Sequence, residues 1–153
     1  MGETHGVTEP SGRGEGTVNT YVVRRIGVVR SPLRDLDYAP RQADEDAPEA
    51  ELVFDQEVAT ALEGIEAGAV IEVLTWLHLS SRDTLQTRPR GDVTRSLTGV
   101  FATRSPDRPN PIGLHTVTVL ETGPGTLRVG GLEAIDGTPV VDVKIALGTP
   151  DGR

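Results

Sequence analysis

Residues 70–79, VIEVLTWLHL, constrain the fold of this chain more than any other stretch. An extended backbone sends alternate side chains to opposite faces. Ile71, Val73, Thr75, Leu77 and Leu79 would share one face, and Val70, Glu72, Leu74, Trp76 and His78 the other. A strand largely apolar on both faces belongs inside a barrel or a sandwich. The rest of the chain offers the partners such a strand needs. Further strands are expected at 21–32 (YVVRRIGVVRSP), 51–54, 99–103, 114–121, 127–129 and 140–147, with turns at Gly123-Pro124-Gly125 and Asp136-Gly137. One short helix is expected where Val58, Leu62 and Ile65 recur behind Asp55 as a cap, with Gly64 and Gly68 stopping the run. The expected fold is mainly β: a small antiparallel β-barrel with one short helix and long ligand-binding loops.

A length of 153 residues fits one domain with a modest core. That domain is expected over residues 21–150. Residues 1–20 are rich in Gly, Thr and Glu and carry too little apolar surface to offset the entropy of ordering, so a disordered tail is expected there. No apolar run follows Met1 and none reaches the length of a membrane span, which points to a soluble cytoplasmic protein without a membrane partner. The absence of cysteine excludes disulfides and thiolate metal sites, and His5, His78 and His115 are scattered, so no metal is expected. A net charge of −8 argues against sequence-independent adhesion to a nucleic-acid backbone, while leaving room for a local basic face. Lys144 is the only lysine, so an anion site here would use the planar forks of arginine.

The densest chemical signal is GVFATRSPDRPNPIGLH at residues 99–115. Pro106, Pro109 and Pro111 each lock φ, so Arg104 and Arg108 are presented from a stiff frame that loses little entropy on ordering. Such preorganisation suits an anionic ligand group. It equally suits a rigid connector whose arginines pair with some of the many acidic side chains. Pro40-Arg41-Gln42 in the loop at 33–51 and Asp136-Gly137-Thr138-Pro139 ahead of the last strand are weaker signals, the second being commonly just a turn. His78, on a strand face with Trp76 and Glu72, reads more readily as a satisfied interior histidine than as a ligand-binding one.

Taken together, IGVVRSP at 26–32, PRQ at 40–42, WLH at 76–78, GVFATRSPDRPNPIGL at 99–114 and DGTPVVDVK at 136–144 resemble the TrmO or TsaA-like family. Members of that family are β-barrel, S-adenosylmethionine-dependent methyltransferases that N6-methylate N6-threonylcarbamoyladenosine beside the tRNA anticodon. The resemblance covers residues 22–147, and its RSPDRPNPIG element is highly specific. It implies a cofactor pocket lined by Pro40, Arg41, Gln42, His78, Leu79, Arg104, Leu114, Asp136, Gly137, Thr138 and Pro139, close to the contact of a homodimer. Arg41 or Arg104 would take the cofactor carboxylate, and Asp136 would offset positive charge or hold the ribose. Ser105, Arg108 and Asn110 are candidate contacts to the methyl acceptor.

No residue stands out as the general base, although the conjugated N6 nitrogen is a poor nucleophile and calls for a proton acceptor. The family's best-known branch carries a further C-terminal domain beyond the point where this sequence stops. Three functions therefore compete: a tRNA methyltransferase, a methyltransferase for a small metabolite, and a non-catalytic cofactor-binding module.

Overall fold

The computed structural model describes residues 19–34 and 48–147. Its strands are β1 (Gly27–Arg30), β2 (Ala50–Phe54), β3 (Val70–Trp76), β4 (Gln86–Thr87), β5 (Thr98–Gly99), β6 (Ile112–Gly123), β7 (Thr126–Gly130) and β8 (Pro139–Ile145). Six of them close a barrel in the order β1-β2-β7-β6-β3-β8, and β4 and β5 form a separate two-stranded ribbon. Every pairing is antiparallel. Closure pairs the edges that an open sheet would leave free.

Strict alternation places the core. Gly113, His115, Val117 and Val119 of β6 point inward, as do Ile71, Val73 and Thr75 of β3 and Leu127 and Val129 of β7. Val29, Leu52, Val140 and Leu132 complete the buried cluster. Each fully buried Val or Leu contributes about 1.5–3 kcal/mol relative to exposure. Leu132 belongs to no strand: with Ala134 and Ile135 it lies buried in the connection between β7 and β8. The expected short helix is a 3-10 helix over Gln56–Leu62. Asp55 stands at its N-cap without a capping side-chain bond and pairs instead with Arg25 at 3.3 Å. Gly64 follows at φ +94°, a conformation that disfavours any side chain.

The register also sorts the connections. Trp76 lies opposite Ile112, Thr75 opposite Val140, Val28 opposite Pro139, Arg30 opposite Glu51 and Ala50 opposite Val129. The long connections β1–β2, β3–β6 and β7–β8 therefore leave from one end of the barrel. The Pro124-Gly125 hairpin and the Gln56–Leu62 helix occupy the other.

Three strand expectations need correction. The first strand begins at Gly27 and not at Tyr21, because its partner β2 ends at Phe54, opposite Gly27. Tyr21, Val22 and Val23 are left without a ladder and lie exposed. The strand expected to reach Leu79 ends at Trp76, where β6 begins opposite it; His78 and Leu79 form an exposed turn. Its second face is not interior either: Glu72, Leu74 and Trp76 are half-buried on the outside of the barrel. The strand expected at 99–103 survives only as Thr98–Gly99, and Val100–Ala102 curl into a 3-10 turn whose Val100 carbonyl accepts from the Thr103 N–H and from Arg108. Residues 1–18 of the expected tail lie outside the described residues.

Candidate functional site

The β7–β8 connection turns sharply at Ile135–Thr138, where the Thr138 N–H donates to the Ile135 carbonyl at 3.2 Å and Gly137 takes φ +83°. That positive φ at the third position is what a type II turn requires, hence glycine there. The Gly137 N–H donates to the Val29 carbonyl at 2.8 Å and the Val29 N–H to the Thr138 carbonyl at 2.9 Å, which pins the turn to β1. Thr138 is buried and its hydroxyl donates to the Ile135 carbonyl at 2.7 Å. Pro139 opens β8 where no ladder donor is needed. Of the four residues in this motif, Asp136 alone presents a polar side chain. Its Oδ1 accepts from the Ser31 N–H at 3.0 Å and its Oδ2 lies 3.6 Å from Arg34.

Asp136 lines an open cleft of about 680 Å³ together with Arg30, Ser31, Pro32, Arg34, Glu49 and Arg128, among others. Clefts that hold cofactors and drug-sized ligands span about 300–1,000 Å³. Arg128 forms part of its wall, held by Glu49 at 2.7 Å and Glu121 at 3.1 Å. The hydrogen bonds it donates to these two carboxylates push its guanidinium pKa further up.

The β3–β6 insertion leaves from the same barrel end. Its two halves are tied together: the Ser81 N–H donates to Asp107 Oδ1 at 2.8 Å and the Arg108 N–H to the Ser81 carbonyl at 3.0 Å. Arg82 donates to the Pro109 carbonyl and to Asn110 Oδ1, and its guanidinium sits 5.1 Å from the Trp76 ring centroid. The proline-stiffened loop is therefore bound to the turn that carries His78 and Leu79. Within it, Arg108 donates from Nε to the Ser105 carbonyl and from Nη2 to the carbonyls of Val100 and Thr103, all within 2.9 Å. Arg104 is exposed. Further along, the Thr94 hydroxyl and then its backbone N–H lower the pKa of the Asp92 carboxyl.

The loops that leave one end of the barrel carry His78, Leu79, Arg104, Ser105, Arg108, Asn110 and Asp136–Pro139, and of these Asp136 lines the cleft while the residues of the β3–β6 insertion do not. Leu114 stands apart on the outer face of β6, opposite Leu74 and 42% exposed. Pro40, Arg41 and Gln42 lie outside the described residues. His78 is on an exposed turn and is not the interior histidine expected. That place belongs to His115, whose ring bridges Thr75 Oγ1 at 2.7 Å and Glu133 Oε1 at 2.6 Å. The alternation in IGLHTVTVL already marks His115 as inward-facing; its partners, distant in sequence, could not be read there.

Among the described residues no group of three metal-ligating side chains converges, and no helix is long and apolar enough to cross a membrane. Known proteins share this architecture. TrmO from Pseudomonas aeruginosa superposes with a TM-score of 0.69 at 30% identity over 88% of this chain, which spans 61% of that one. A probable S-adenosyl-L-methionine-binding protein of Methanothermobacter thermautotrophicus is 47% identical over 80% of this chain and 87% of its own length. The tRNA (adenine(37)-N6)-methyltransferase of Escherichia coli is 35% identical over 83% of this chain and 58% of its own length. The tRNA-methyltransferase O N-terminal domain is matched over residues 28–151, and the chain belongs to that family.

Proposed function

We propose that this chain, as a single domain over residues 21–150, binds S-adenosylmethionine at the loop end of its barrel and transfers the methyl group to N6 of N6-threonylcarbamoyladenosine beside the tRNA anticodon. The observation that carries the reading is the convergence of three separate connections on one barrel end, each bringing a motif of the family with it. The names of the Methanothermobacter and Escherichia coli relatives support the cofactor and the reaction respectively.

The residues present suit the cofactor. Arg104, exposed on a stiff loop and shown with no protein partner among the described residues, offers a fork to its carboxylate. Asp136, held by Ser31, offers an acceptor to the ribose or a negative charge near the sulfonium. Leu79 and His78 offer an apolar edge and a ring for the adenine. The bound cofactor supplies a methyl carbon activated by its sulfonium. The chain would supply position: the loops leaving this barrel end would orient the acceptor nitrogen towards the methyl group and keep water out.

The net charge of −8 does not oppose an RNA substrate, because the charge is unevenly spread. Residues 77–111 hold six arginines against three acids, all aspartate, so the β3–β6 insertion is a basic face on an acidic protein. A homodimer completes the proposal. Ile112 and Leu114 of β6, with Leu74 and Trp76 of β3 opposite them, leave an apolar patch on the outer wall, and pairing there would make Leu114 a contact between subunits near the site. The acidic balance elsewhere favours the second reading, in which the acceptor is a small metabolite. Mass spectrometry of tRNA nucleosides from cells with and without the gene tests the first: loss of the N6-methyl mark supports it. Methyl incorporation into a low-molecular-weight extract and not into bulk tRNA would replace it with the second.

A further inference from the structure

Thr75, His115 and Glu133 form a chain of hydroxyl, imidazole and carboxylate inside the wall of the barrel. Such an order of groups activates a nucleophile in many hydrolases, where the hydroxyl meets a substrate. Here it cannot, because Thr75 is 0% exposed. The space beside it is closed as well: a Cβ on Gly113 would run into Thr75 Oγ1 and lie 2.7 Å from His115 Nε2 and 3.1 Å from Leu77 Cδ2. The absence of a side chain at Gly113 is what lets the ring and the hydroxyl meet.

What the chain of groups reaches is the β7–β8 connection. Glu133 lies three residues before Asp136, in a segment where Leu132, Ala134 and Ile135 are buried. Its carboxylate only accepts, so the proton on Nδ1 of His115 is donated to it. The Nε2 atom then faces the Thr75 hydroxyl, which turns to donate to a neutral ring or to accept from a charged one. Thr75 in turn sits where β3 shifts register against β8, between the Leu74 pairing with Asp142 and its own pairing with Val140. Such irregularities re-aim neighbouring side chains. The three residues therefore fasten the connection to β3 and β6 on one side, while Asp136 is fastened to Ser31 on the other.

We infer that His115 is a positioning residue: through Glu133 it sets the path of Gly131–Thr138 and hence the orientation of Asp136 at the cleft. The link to cofactor binding rests on the function proposed above; the link to the Asp136 turn does not. Glu133→Ala, Glu133→Gln and His115→Gln would be compared with the native chain by amide hydrogen exchange without ligand and by calorimetric titration with S-adenosylmethionine. Glu133→Ala is expected to speed exchange of the Asp136, Gly137 and Thr138 amides by about tenfold or more, leaving β2 and β7 protected. It is also expected to weaken the cofactor by about tenfold. Glu133→Gln, whose amide oxygen still accepts from Nδ1, is expected to restore both, and His115→Gln to resemble Glu133→Ala. Exchange at 136–138 unchanged in Glu133→Ala, or faster equally across the whole barrel, would overturn the inference. If the native chain fails to bind S-adenosylmethionine, the proposed function falls, and the exchange data still decide the role of His115.

Discussion

The backbone N–H of Ser31 donates to Oδ1 of Asp136 at 3.0 Å across 105 residues of sequence, joining the stretch just after β1 to the last turn before β8. Arg34 adds little to that bond, because its side chain is 79% exposed and surface pairs contribute at most about 1 kcal/mol. Asp136→Ala leaves a partly buried donor unmet and should cost about 1–3 kcal/mol in denaturant unfolding. Asp136→Asn keeps an acceptor and should stay close to the native stability. Both lose the charge, so both should bind S-adenosylmethionine more weakly. Equal stability losses in the two would show that the carboxylate charge, and not the Ser31 bond, holds this turn.

Arg108 should behave as a structural residue. Its fork reaches the carbonyls of Ser105, Val100 and Thr103 at once, which one ammonium cannot do. Arg108→Lys should destabilise the chain by about 1.5–3 kcal/mol and speed amide exchange at Thr103 and Ser105. An unchanged unfolding curve together with weaker binding of the methyl acceptor would move Arg108 to the substrate.

Arg104 should behave in the opposite way. It is exposed, and its neighbours are fixed without it. Arg104→Ala should leave the melting temperature nearly unaltered while weakening S-adenosylmethionine by about tenfold or more, as expected for the loss of charge-assisted hydrogen bonds. Arg104→Lys should fall between, because a point charge does not reproduce a bidentate fork. Native affinity in a folded Arg104→Ala protein would remove Arg104 from the cofactor site.

The outer wall yields a test of assembly. Leu114→Asp places a charge on a side chain that is 42% exposed, so the barrel should tolerate it. Sedimentation should show a dimer for the native chain and a monomer for Leu114→Asp, with similar unfolding curves. A native monomer, or a dimer undisturbed by the change, would place any subunit contact elsewhere.

These residues also show what could be read from the sequence and what could not. Alternation located β3 and marks the buried face of β6, because a buried face imposes its period on the residues themselves, although it carried β3 three residues past its end at Trp76. It overextended the first strand, since Tyr21 and Val22 have strand-forming side chains while the end of β2 at Phe54, which denies them a partner, is a property of another segment. The prolines at 106, 109 and 111 announced a stiff loop, yet nothing local said that Arg108 would turn inward to cap its carbonyls and Arg104 outward. His115 was marked as inward by its register, but Glu133 lies in a connection without periodicity, so their contact arises only on folding.

The central claim is that the loop end of this barrel is a cofactor site, and calorimetric titration of the full chain with S-adenosylmethionine tests it most directly. Saturable binding at one site per chain is expected, weakened in Arg104→Ala and in Asp136→Ala and retained in Leu114→Asp. No saturable heat with the folded native chain, or an affinity indifferent to both Arg104 and Asp136, would contradict it.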